Sequence, residues 1–92
     1  MERLKIDEYR ELIDRVGLVE RLEDLRELEN RVIREVVYLV FEGSSQAKAK
    51  LSKLETAVIE KMAASPSSNR LLKIALYQSL SGAFSAGRAA LD

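Results

Sequence analysis

A chain of 92 residues, 47% hydrophobic and 33% charged, has the composition of one small globular domain and excludes disordered or low-complexity character. Its 15 Lys and Arg balance 15 Asp and Glu, and Cys and His are both absent, which excludes disulfides, thiolate metal sites, imidazole ligands and histidine general bases. A single helical domain over residues 1–92 is expected, with a thin stability margin, because a chain this short buries only about 60–65% of its unfolded surface. Arg, Glu, Lys, Leu and Val dominate over two Met and two Asn, a balance of thermophilic type. No signal-peptide pattern opens the chain, and the longest strongly apolar run, VVYLVF, is far shorter than the roughly 20 residues of a membrane span. No membrane association and a cytoplasmic location are therefore expected.

The first predicted helix covers residues 2–16, where Leu4, Tyr9, Leu12, Ile13 and Val16 recur at helical spacing between charged residues. Gly17 either ends it or is carried as a helical glycine at a cost of about 1 kcal/mol relative to Ala. In the second case residues 2–42 form one helix; in the first they form a kinked pair or hairpin. Beyond Gly17, Leu18, Leu22, Leu25, Val32, Val36 and Leu39 follow a spacing of threes and fours that fits a near-heptad seam. Glu29 interrupts this seam and is expected at its edge, a buried carboxylate being the alternative. The segment VIREVVYLVF would also suit a buried strand, but the helical period preceding it favours helix.

Gly43 followed by Ser44 and Ser45 reads as a left-handed stop and a serine cap. The next helix, residues 46–64, places Ala47, Leu51, Leu54, Val58 and Met62 on one narrow face. SPSSN breaks the chain again, with Ser65 suited to an N-cap and Pro66 to the first helical position of a last helix over about 67–91. Short turns join these segments into an all-α, small antiparallel bundle of three to four helices.

The neutral total hides a dipolar chain: residues 1–43 hold eight Lys or Arg against twelve Asp or Glu, and residues 44–92 hold seven against three. The plainer reading is that the two halves attract each other within the bundle. The sharper one takes Lys48, Lys50, Lys53, Lys61, Arg70, Lys73 and Arg88 as candidate phosphate contacts for nucleic acid. Only Tyr77 and Phe84 could stack bases in that half, and no Gly-rich phosphate loop is present.

Catalysis would rest on carboxylates, Lys, Tyr or Ser. Asp7, Glu11 and Asp14 share a helix face, as do Glu20, Glu23 and Glu27, but the histidine of a di-iron bundle site is missing and a solvated acidic face is expected. No enzyme activity, metal or cofactor is expected. From residue 79 to residue 90, nine of twelve positions are Gly, Ala or Ser. Ser79, Ala83 and Gly87 form one row on a helix, and Gly82, Ala86 and Ala90 a second beside it. Such rows let another backbone approach closely, either from within the protein, where Val36, Leu39 and Val40 would fill the gap, or from another chain. The expected function is a non-catalytic protein-interaction module, an accessory subunit of a larger assembly or a self-associating bundle, with those six residues as its interface. A nucleic-acid-associated helical protein, such as an accessory subunit of a DNA-processing complex, is the alternative.

Overall fold

Why the chain breaks where it does is answered by its caps. The computed structural model describes residues 6–64 and 69–92, with side chains described from Tyr9 onward. Among these residues it is an all-α bundle of four helices: α1 (Ile6–Val16), α2 (Leu22–Glu42), α3 (Ser45–Ala64) and α4 (Arg70–Leu91). Leu4, Ser65 and Pro66, to which helical or capping roles were assigned above, lie outside the described residues.

Gly17 breaks the chain, so α1 and α2 are a helical pair and not one long helix. The last turn of α1 tightens, with the Gly17 amide donating to the Asp14 carbonyl at 3.2 Å and the Leu18 amide to that of Arg15 at 2.9 Å. Gly17 itself is not left-handed; among the described residues only Gly43 has positive φ. Val19 is buried within the connection, and Asp24 then caps α2 by accepting from the Arg21 amide at 3.2 Å.

At the other end of α2, Gly43 adopts φ 61° and ψ 13°, and its amide donates to the Leu39 carbonyl at 3.1 Å. A side chain there would be strained, so the glycine is required by conformation. Ser44 caps α3 at once, its Oγ accepting from the Ala47 amide at 3.1 Å. The start of α4 differs from expectation. Asn69 is its cap, with Oδ1 accepting from the Leu72 amide at 3.2 Å, so the helix begins at Arg70 and not near residue 67. Asparagine is among the strongest N-cap residues, and here it fixes the start.

Around the bundle the helices follow the order α1, α2, α4, α3. Each of α1 and α4 packs on both α2 and α3, α2 also meets α3 across the short diagonal, and α1 and α4 do not meet among the described residues. The narrow face of α3 is buried as its spacing predicts, through Ala47, Leu51, Leu54, Val58 and Met62. Facing it are Leu12 and Val16 of α1, Leu25, Leu28, Val32, Val36 and Leu39 of α2, and Leu76, Leu80 and Phe84 of α4.

Candidate protein-interaction face

VVYLVF gives α2 apolar residues around most of its circumference, and a helix in a small bundle can turn only part of that surface inward. The core takes the stripe through Val32, Val36 and Leu39. A second row, Ile33, Val37 and Phe41, spaced four apart, is left outside, with 37%, 46% and 85% of its respective surfaces exposed. A lone exposed apolar residue is ordinary, but a continuous row beside a cleft is not.

That cleft is an open groove of about 240 Å³ between α2 and α4, lined by Ile33, Val36, Val37, Val40 and Phe41 on one side and Ala83, Ala86 and Gly87 on the other. Among the described residues, no charged side chain lines it. The small residues of α4 determine its depth. Gly87 is buried, and a Cβ built there would stand 2.7 Å from Val36 Cγ1 and 3.2 Å from Leu51 Cδ2, so the missing methyl is what lets α2, α3 and α4 converge. Ala83 and Ser79 of the same row are half-buried. The second row points outward: Gly82, Ala86 and Ala90 are exposed, and nothing lies within 4 Å of the Cβ position at Gly82. The two rows therefore have different environments, one packed against α2 and one presented at the surface, with Ala86 on the groove wall.

The basic residues divide as well. Lys50 lies 3.8 Å from Glu42 and Lys61 lies 3.3 Å from Asp14, so both link the basic half of the chain to the acidic half. Lys48 pairs with Asp92, and Arg88 pairs with Glu55. Lys53 is exposed on α3, while Arg70 and Lys73 sit in the first turns of α4 beside a separate cleft. Four of the seven cations thus have carboxylate partners on other helices or at the end of α4.

Carboxylates of the acidic half serve α1. Arg15 grips Glu27 through two hydrogen bonds of 2.7 and 2.9 Å, and Arg31 approaches Glu11 at 3.8 Å. The bidentate bond from Arg15 holds the Glu27 carboxyl below its ordinary pKa, and the same bond raises that of Arg15. Among the described residues, no group of three or more acidic side chains is placed to hold a metal ion, and no helix is long and apolar enough to cross a membrane.

The carboxylate inside the seam is Glu35. Glu29 is half-buried at the seam edge, as expected, whereas Glu35 keeps only 2% of its surface and accepts a hydrogen bond from the Tyr9 hydroxyl of α1. Sequence reading missed this residue, although the spacing 25, 28, 32, 35, 39 places it in line with the buried leucines and valine. It also missed Ile33, Val37 and Phe41, whose i, i+4 repetition was the available signal.

Comparisons of this chain with protein-family models, curated proteins and solved structures find no match.

Proposed function

We propose that the protein is a non-catalytic interaction module whose α2–α4 groove receives an amphipathic helix of a partner protein. The observation that carries this reading is the exposed row Ile33, Val37 and Phe41 standing beside a floor of small α4 residues, with no charged side chain between them among the described residues. A helix suits the groove because its apolar stripe projects side chains at the same spacing as the row, and small residues on the floor admit them. Size argues the same way. The three exposed side chains together offer about 300 Å², if a full aromatic or branched side chain contributes about 150–200 Å², whereas each member of a stable globular pair contributes about 800 Å². One helix matches that face better than a folded domain does.

The nucleic-acid alternative draws less support, since Lys48, Lys50, Lys61 and Arg88 have carboxylate partners of their own. Catalysis lacks the groups that commonly carry it.

A photo-crosslinking side chain substituted for Phe41, with a second variant carrying it in place of Glu60 on α3, tests the proposal in cells that make the protein natively. The expected result is a defined partner peptide of helical apolar period crosslinked from position 41 and not from position 60. Crosslinks to this same chain would replace the partner by a second copy, and equal labelling from both positions would overturn the reading.

A further inference from the structure

Among the described residues the two most exposed large apolar side chains are Phe41, at 85%, and Leu71, at 79%. They stand at opposite ends of the face that α2 and α4 share. Both helices run antiparallel to α3 and therefore point the same way: the Gly43 turn reverses the chain after α2, and the pairs Lys48 with Asp92 and Glu55 with Arg88 match the start of α3 to the end of α4. Gly87 lies level with Val36. At a rise of about 1.5 Å per residue, Phe41 is about 8 Å beyond that level and Leu71 about 24 Å short of it, so the midpoint between them falls beside Gly82.

The outer side of α4 is symmetric about that midpoint. Ala75, Gln78, Gly82, Ala86 and Ala89 recur at spacings of three, four, four and three; all five are exposed and none is charged. The spacing reads the same in reverse, so a second α4 laid antiparallel across Gly82 sets Ala75 against Ala89 and Gln78 against Ala86. Within one copy nothing stands within 4 Å of the Cβ position at Gly82, which leaves room for that approach. The charges at Arg70 and Asp92, opposite in sign, lie beyond the two ends of this seam, where the two-fold sets one level with the other. The area also suits a second copy. Ile33, Val37 and Phe41 offer about 300 Å², and Leu71 with the five seam residues brings the face to about 700 Å² per copy, against about 800 Å² in a stable pair.

We propose that two copies of this chain pair through this face about a two-fold axis at Gly82. The α4 helix of each lies along the α2–α4 groove of the other, and Phe41 of each packs on the partner's Leu71. The pairing rests on the reading of that groove as the seat of a helix, and it names the helix. An area slightly below that of stable pairs sets the dissociation constant at about 10–100 μM.

Sedimentation equilibrium over a range of concentrations tests the pairing on the full chain. The native protein is expected to pass from monomer to dimer. Phe41→Asp and Leu71→Lys should each weaken the dimer at least about tenfold, because each sets a charge against an apolar side chain at both ends of the face. Both positions are exposed, so melts of the two variants at low concentration should match the native melt. Mixed in equal amounts, the two variants should dimerise within about threefold of the native affinity. The mixed pair restores Phe41 against Leu71 at one end and sets opposite charges together at the other. A native protein that stays monomeric at about 1 mM, a dimer that survives both substitutions, or a mixture that stays monomeric overturns the pairing. The groove reading fails separately. With a monomeric native protein, crosslinks from position 41 to a different chain keep the groove and discard the second copy, whereas equal labelling from positions 41 and 60 discards both.

Discussion

The two small-residue rows of α4 have nearly the same composition and opposite surroundings. Ala83 and Gly87 of one row border α2, where Gly87 lies under Val36, and Ser79 is half-buried, while Gly82, Ala86 and Ala90, one step around the helix, face solvent or the groove. A small residue is therefore not in itself a sign of close packing. At Gly87 the absent methyl is occupied by a neighbour; at Gly82 it is only absent, and the helix bears the entropic cost with no contact in return.

The most severe challenge to this contrast is one substitution made at both glycines. Gly87→Ala should destabilise the protein by about 1–3 kcal/mol, because the new Cβ meets the stiff, branched Val36. Adding Val36→Ala should recover part of that loss, and chemical denaturation of the four members of the cycle measures the coupling. Gly82→Ala should instead stabilise by about 0.5–1 kcal/mol, since it adds helix propensity in open space. Equal effects of the same sign at the two positions would erase the distinction.

Leucine substitutions sharpen it next. Ala83→Leu on the half-buried row should lower the melting temperature, with a cost of about 1–3 kcal/mol, whereas Ala86→Leu on the exposed row should stay within about 0.5 kcal/mol of the native protein. The second variant nevertheless fills the groove, so it should lose the crosslinked partner while keeping its fold.

The smallest effect contrasts α4, held by proximity, with α1, held in part by charge. Glu27 has a lowered folded-state pKa, so its contribution to stability is complete above the ordinary glutamate range and is lost as pH falls through that lowered value. Arg15 has a raised pKa, so its contribution is intact throughout the working pH range. Melts of native protein and Glu27→Gln between neutral and strongly acidic pH should converge at the acidic end and separate slightly above it. High salt should shrink that separation, and the penalty of Gly87→Ala should be unaffected by either change.

The sequence made some of this visible because one physical signal dominated. In α3 every apolar residue of the predicted face is buried, since apart from Ile59 the rest of the helix is charged, polar or small and offers little competing orientation. Gly43 and Ser44 were equally plain, because a left-handed stop and a hydroxyl cap have few substitutes. The end of α2 was less legible. From Val36 to Phe41 nearly every side chain is apolar, so periodicity permits several inward faces, and the arrival of α3 and α4 selects among them. The same selection decided which row of α4 would be covered. Glu35 lies in the spacing of the buried stripe, but its charge argued against burial, and the tyrosine that donates to it lies 26 residues away.

The absence of contact between α1 and α4 among the described residues bears on how the molecule opens. Helices α2, α3 and α4 touch one another in all three pairings, so they close a triangle that persists when α1 lifts away. Among the described residues α1, with 11, is also the shortest helix, and it surrenders only its own contacts in leaving. Amide hydrogen exchange should therefore find a stepwise hierarchy, with α1 protected least and the interior amides of α2 released only on global unfolding. The Tyr9 to Glu35 bond is the latch on that first step, so Tyr9→Phe should speed exchange throughout α1 while leaving α4 unchanged.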